Sequence, residues 1–321
     1  MAILAQVLNF LQFMSISRAS RRTYDQGRSS YLAFCRQFRL IPFPASEDSL
    51  NLFITYLARS LSFATIRTYL AAVRYWNIRE DFSADFGGMV QLHMTLQGIK
   101  RLKGASSRPN RLPITIDILK TLKNRLRTLA NPEEDKRMLW AAFTTAFFGF
   151  LRSAEFCCTS KISYDASTCL LVRDVSISEN VLRIFIKVSK ADPFRNGHTI
   201  RLVATNSSIC PLRAMQKHLE NSRQGDKPVF SFKDGSFLTR QCVSKTVQQL
   251  LEGTFPDAKQ YSSHSFRIGA ATTAAAADVP DWLIKVLGRW SSNCYERYIR
   301  TPVSLIDRIP SLLSRTRLQK S

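Results

Sequence analysis

The chain has 321 residues, with 46 Lys+Arg against 24 Asp+Glu, a formal net charge of +22 and a pI near 10.1. Hydrophobic residues make up 45%, which excludes wholesale disorder, and the length suits roughly two domains of ~100–200 residues each. So basic a chain calls for a polyanionic partner, and nucleic acid comes before a membrane surface. Residues 1–104 carry 13 basic and 6 acidic side chains, net +7, and the remainder carries net +15. Two separately basic halves suggest two arms gripping one polyanion. The seven cysteines, an odd number with no CxxC pair, argue against a disulfide framework or a structural zinc site and for a reducing compartment.

The opening MAILAQVLNFLQFMSI lacks a basic segment before its apolar run and is interrupted by Asn9 and Gln12, so it reads as an amphipathic helix and not a signal peptide. The run Leu139 to Leu151 is too short to span a bilayer, so a soluble intracellular protein is expected. SRASRRTYDQGRSSYLAFCRQF spaces Tyr24, Tyr31, Phe34 and Phe38 like a helix. Pro42 and Pro44 break it, and Ser46 restarts a helix through Leu50, Phe53 and Leu57. SFATIRTYLAAVRYWNIRE follows, with Ile66, Leu70, Val73 and Trp76 or Tyr75 as its buried stripe. Arg67 and Arg74, seven apart, fall on one side of it and are candidate DNA contacts.

Gly104 to Pro113, which includes Arg108 as a further candidate DNA contact, reads as a linker between a helical domain (1–103) and a second domain (114–321). The second domain predicts helices at about 115–130 and 133–148 and strands in TCLLVRDVSI, VLRIFIKVSK and HTIRLVA. Helices return near Pro211–Ser222 and Thr239–Leu251 and dominate from His264 onward. The fold class is therefore mostly α with a small antiparallel β-sheet. Val303, Ile306, Ile309, Leu312 and Leu313 form a helical apolar stripe in the tail, placed either on its own domain or on a neighbouring subunit.

Polar residues interrupt three otherwise apolar stretches. In FFGFLRSAEF, Arg152 stands between the end of one helix at Gly149 and a start led by Ser153, where pairing with Glu155 is the bland alternative. In SSHSFRIGAATT, His264 and Arg267 lie at i and i+3 on one helix face. In LGRWSSNCYERYIR, Arg289 is a candidate DNA contact, while Trp290 and Tyr298 flank a helix. Together these residues suit metal-free phosphoryl transfer: guanidinium groups for the charge developing on phosphorus oxygens, a phenol as nucleophile, and a base and an acid for the protons. Neither an Asp-rich metal cluster nor a phosphate loop of the GxxxxGK[ST] form appears in the sequence, so no cofactor or metal is expected.

On FLRSAEF, the HxxR box His264-Ser-Phe-Arg267 and LGRW…YIR, the chain resembles the tyrosine recombinase (phage integrase) family over nearly its whole length. That resemblance implies a helical SAM-like core-binding domain and a mixed α/β catalytic domain closed as a clamp on double-stranded DNA. It implies a site-specific recombinase or integrase working through a 3′-phosphotyrosine, as a homo-tetramer on paired sites. Arg152 and Arg267 would bind the scissile phosphate, His264 would move a proton, Trp290 would donate to a phosphate oxygen, and Tyr298 would be the nucleophile, with Tyr295 as its rival. The family's hairpin lysine carries over to Lys190, with Lys187 as rival. SKADPFRNG and GRWSSNCYERYIR resemble eukaryotic Crypton and DIRS-like transposon recombinases, which implies nuclear placement. A type IB topoisomerase and a non-catalytic, domesticated DNA-binding protein are the alternatives.

Overall fold

The computed structural model describes residues 1–82, 85–104, 111–192, 194–220, 225–299 and 310. Two hydrophobic cores form in separate stretches of chain, and the protein divides into compact units at Met1–Arg108 and Pro109–Ser321. Arg108 and all of the 301–321 tail but Pro310 fall outside the described residues.

The first unit is helical: α1 (Ala2–Met14), α2 (Arg18–Phe38), α3 (Glu47–Ala58), α4 (Phe63–Arg79) and α5 (Val90–Lys103). Ser17, Ser46 and Ser62 each cap a helix by accepting a backbone N–H three residues on. Tyr31, Phe34, Leu50, Phe53, Ile54, Ile66 and Val73 fill the core, and the Tyr31 hydroxyl meets Ser49 Oγ at 2.9 Å. Of the stripe expected on α4, Ile66 and Val73 are buried, and Leu70, Tyr75 and Trp76 are half-buried. A Cβ on Gly27 would stand 2.6 Å from Ala72 Cβ, so a glycine here allows α2 and α4 their close approach. Every side chain of α1 is exposed, and near its end Arg79 donates to Gln12 Oε1 at 2.9 Å.

The second unit contains α6 (Ile116–Arg127), α7 (Glu133–Phe148), the single turn α8 (Ser153–Phe156), β1 (Val175–Ser178), β2 (Val181–Ile186), β3 (His198–Val203), α9 (Pro211–Leu219), α10 (Arg240–Leu251), α11 (Ser265–Ala276) and α12 (Asp281–Leu287). Residues Asn293–Tyr298 form a 3-10 helix. The sheet is antiparallel in the order β1-β2-β3, with Ile184 opposite Ile200 and Leu182 opposite Leu202. These residues point to the core, while Arg183 and Phe185 face outward, as the alternation predicts.

Two strands are shorter than their sequence suggests. In TCLLVRDVSI only Val175–Ser178 joins the sheet; Leu170 and Leu171 are buried, Leu171 bridges to Pro228, and Asp174 accepts the Leu171 N–H at 2.7 Å, turning the chain. VLRIFIKVSK leaves the sheet after Ile186, where Lys187 turns away to pair with Asp174 at 2.6 Å. α7 is almost wholly buried from Met138 to Phe147 and delivers its end to the loop that holds Arg152. Segment 112–114 docks on the start of α11 through Ile114 N–H to Ser265 O at 3.0 Å. A Cβ on Gly269 would lie 1.8 Å from the Ile114 carbonyl oxygen, so only glycine permits this contact. No helix among the described residues is long and apolar enough to cross a membrane.

Candidate active site

The chain leaves α7 through Phe150, which takes a left-handed φ of 50° and turns its carbonyl into the domain. Arg152 follows as the residue before α8, so the helix starts one residue earlier than a Ser153 cap would place it. Its backbone N–H donates to Glu155 Oε2 at 2.9 Å, and its guanidinium donates to Glu155 Oε1 at 3.0 Å and to Ser189 Oγ at 2.7 Å. The Ser189 hydroxyl donates in turn to Glu155 Oε1 at 2.9 Å. The Arg152–Glu155 pairing is thus present, but as part of a larger network.

Arg289 completes that network. Its guanidinium donates to Glu155 Oε2 at 2.8 Å and to the carbonyls of Gly149 and Phe150, each at 3.2 Å. The side chain is only 9% exposed, and Arg289, a candidate DNA contact in the sequence, is bonded here as an internal brace between the α12 loop and the α7–α8 turn. Glu155 is buried at 1% side-chain exposure. Burial pushes its carboxyl pKa up, but the Arg289 charge, the Arg152 N–H and the Arg152 charge outweigh this and hold it below its ordinary value.

Arg267, at the front of α11, is fully buried and donates to the carbonyls of Phe150 and Gly288. Its guanidinium carbon lies 4.1 Å from the Trp290 ring centroid and 5.8 Å from that of Tyr298. Burial and the neighbouring Arg152 charge lower its pKa to about 9. The two arginines expected to bind one phosphate therefore differ in access: Arg152 keeps 19% of its side chain exposed, whereas Arg267 lies beneath the indole. Gly288 makes this packing possible, since a Cβ there would lie 1.7 Å from the Trp290 ring.

His264 precedes α11, and its ring meets Tyr298 edge-on at 5.2 Å between centroids. Burial, followed by the charges of Arg267, Arg152 and Arg111, lowers its pKa to about 4, so the imidazole is neutral near pH 7. Trp290 packs against both tyrosines, at 5.2 Å to Tyr298 and 6.1 Å to Tyr295. Tyr295 is a core residue at 6% exposure, and burial and the Asp281 charge raise its phenol pKa. Tyr298 is half-buried, faces His264 and Arg267, and is anchored by its carbonyl accepting from Thr272 Oγ1 at 3.1 Å.

The two lysines separate as clearly. Lys187 is bound to Asp174 and donates to the carbonyls of Ala166 and Cys169 at 3.0 and 2.9 Å. Lys190 stands exposed on the β2–β3 turn, one residue beyond the buried Ser189 that bonds Arg152. Arg152, His264, Arg267, Trp290 and Tyr298 therefore come together, and Lys190 borders them through Ser189. Ser189, the bracing role of Arg289 and the place of Glu155 at the centre of the network are new to the structure, although the Arg152–Glu155 pair itself is legible in the sequence. Glu155 carried a signal, as a carboxylate three residues beyond a helix-capping position, but Ser189 had none.

In the first unit, Arg67 and Arg74 are both exposed and border one groove of about 480 Å³, shared with Phe63, Leu96, His93 and Lys100.

The same architecture is found in three solved structures: XerH site-specific recombinase bound to difH substrate before cleavage, the Tn1549 transposon integrase with transposon right end DNA, and a lambda integrase dimer on a COC′ core site. XerH matches with a TM-score of 0.58 and 15% identity over 91% of this chain and 79% of its own. For the Tn1549 integrase the values are 0.58 and 12% over 94% of each chain. For lambda integrase they are 0.59 and 13% over 99% of this chain and 97% of that one. The fold is that of the tyrosine recombinases. By sequence, neither a protein-family model nor a curated protein matches the chain. Within the tyrosine recombinase fold, the arginine–histidine–tyrosine cluster lies between the α7–α8 turn, the start of α11 and the segment after α12.

Proposed function

We propose that this protein is a site-specific DNA recombinase that cleaves and rejoins strands through a 3′-phosphotyrosine. The observation that carries the reading is the meeting of Tyr298 and the neutral His264 over a site where Arg152 and Arg289 pair with a single buried carboxylate, Glu155, and Arg267 is bonded only to the Phe150 and Gly288 carbonyls. Three guanidinium groups with one carboxylate among them leave an excess positive charge in a poorly solvated place, which a bound phosphate would neutralise.

The Tyr298 phenolic oxygen attacks phosphorus as neutral His264 takes its proton, and a new P–O bond forms to the tyrosine. The bond to the 5′ oxygen breaks, and Lys190 supplies the proton that lets this oxygen leave as a hydroxyl. Arg152 donates to the non-bridging oxygens directly, and Arg267 stabilises their charge from beneath after exchanging a carbonyl partner for phosphate. Attack by another strand's 5′ hydroxyl reverses the steps and frees the tyrosine. No external energy source is needed, because the phosphotyrosine conserves the ester bond.

Further parts of the reading rest on sequence style and chemistry. On the resemblance of the GRWSSNCYERYIR segment, we extend the proposal to a transposon-borne recombinase of the Crypton or DIRS-like kind that acts on double-stranded DNA in the nucleus as a tetramer on paired sites. The test is a nicked duplex bearing the repeats that flank the coding region. The wild-type chain and Tyr295→Phe should form a covalent adduct stable to denaturation, and Tyr298→Phe should bind DNA without forming one. An adduct lost only in Tyr295→Phe would reassign the nucleophile, and no adduct in any variant would leave a DNA-binding protein without cleavage. Relaxation of an arbitrary supercoiled plasmid would instead indicate a topoisomerase.

A further inference from the structure

Away from the cluster just described, α8 runs into Cys157 and Cys158, and the loop before β1 brings Cys169 back to them. Cys158 Sγ and Cys169 Sγ stand 2.9 Å apart, with both thiols free. The contact is held by two fixed backbones. Cys158 N–H donates to Leu238 O at 2.8 Å, and the residue forms a parallel bridge with Thr239; Cys169 N–H donates to Asp165 O at 2.8 Å. Next to the pair, the Lys187 ammonium donates to the Cys169 carbonyl at 2.9 Å. Cys158 is 8% exposed, whereas Cys169 is half-buried and reachable from solvent.

We propose that Cys158 and Cys169 are a redox pair that hydroperoxides oxidise to an intramolecular disulfide. Cys169 is the attacking sulfur. The hydrogen bond from Cys158 and the Lys187 charge lower its thiol pKa against the opposing effect of burial, while the same bond and burial raise that of Cys158. A thiolate that is both stabilised and accessible is the one that reacts.

In the first step, the Cys169 thiolate attacks a peroxide oxygen, an S–O bond forms, the O–O bond breaks, and the departing hydroxide or alkoxide takes up a proton. In the second, Cys158 sulfur attacks Cys169 sulfur, the S–S bond forms, and the S–O bond breaks. The hydroxide leaves as water with the proton from Cys158. Two thiols thereby lose two electrons to one peroxide, and a thiol reductant reverses the change. Such pairs suit a reducing compartment, where disulfides are chiefly transient and redox-responsive. The disulfide would close residues 158–169 into a ring beside α8, whose Glu155 holds Arg152. This inference stands independently of the DNA-cleavage reading.

The test treats the folded full chain with hydrogen peroxide, blocks remaining thiols with iodoacetamide, and digests with trypsin without reduction. Cleavage after Arg152, Lys161 and Arg173 places the two cysteines in separate peptides, 153–161 and 162–173, which a disulfide would join. The joined species should appear with peroxide, vanish with dithiothreitol, persist in Cys157→Ser, and be lost in Cys158→Ser and Cys169→Ser. Oxidation of the wild-type chain should also raise its Tm, reversibly with dithiothreitol, since the closed ring restricts the unfolded chain. Absence of the joined peptide in the wild-type chain while exposed Cys294 is oxidised would overturn the proposal without reliance on any variant. Its persistence in Cys158→Ser would make Cys157 the partner and overturn the pair as named.

Discussion

Glu155 is the residue on which the others converge, because one carboxylate accepts from two guanidinium groups, a serine and a backbone N–H. Its pKa is depressed below the ordinary 4.5 in the folded state, so the unfolded chain binds a proton more readily. Its contribution to stability is therefore present above about pH 4.5 and lost as pH falls through the folded value. Glu155→Gln removes one partner of a buried charge pair, and we expect a loss of ~3–5 kcal/mol, measured by urea denaturation at pH 7. Retained stability would mean that Arg152 and Arg289 find other counter-charges. His264 shifts the other way in charge terms: with a folded pKa of about 4 against 6.5, only the unfolded chain takes a proton between those values. Stability should thus fall as pH drops from 6.5 to 4, by about 3 kcal/mol for 2.5 units at ~1.36 each. His264→Asn should flatten that part of the pH profile, and an unchanged slope would reject the assignment.

Among the elements, the start of α11 is the most constrained, because it carries His264 and Arg267 and is seated by backbone contact with segment 112–114. Gly269→Ala would force a methyl to 1.8 Å from the Ile114 carbonyl. A backbone oxygen cannot rotate aside as a side chain does, so we expect a loss of about 3 kcal/mol or more, at the high end for overpacking. Circular dichroism melts would read this as a drop in Tm, and a neutral result would mean that 112–114 can lift off without cost. The β2–β3 turn is the opposite case. Lys190 is exposed there, while Lys187 is tied down by Asp174. Lys190→Ala should slow cleavage of ordinary DNA by ~10²–10⁴-fold, and a 5′-bridging phosphorothiolate should restore the rate, because sulfur leaves without a proton. Rescue of Lys187→Ala alone would transfer the role to Lys187.

For the whole molecule, the net charge of +22 is divided between both units. DNA affinity should therefore fall steeply with salt, each phosphate contact contributing ~0.9 to the log–log slope. Arg67→Ala and Arg74→Ala, on the exposed side of α4, should each reduce that slope by ~1 and weaken binding to all sequences alike. An unchanged slope in the double variant would remove the α4 groove from the DNA interface.

The sequence by itself determined the helix-rich class, the small antiparallel sheet, most helix boundaries and the approximate position of each chemical residue. These follow from interactions within a few residues: serine caps, the alternation of Leu182, Ile184 and Ile186, and the breaks at Pro42, Pro44 and Gly149. Only the tertiary structure decided what each charge meets. Arg289 reads as a surface cation in sequence, yet Glu155, 134 positions away, and the left-handed turn at Phe150 draw it inside. The ends of β1 and β2 likewise depend on the Lys187–Asp174 pair, and the separation of Tyr298 from Tyr295 depends on which phenol lies buried beside Asp281 and which faces His264. Burial and long-range pairing set these outcomes, and neither has a signature in a local window of sequence.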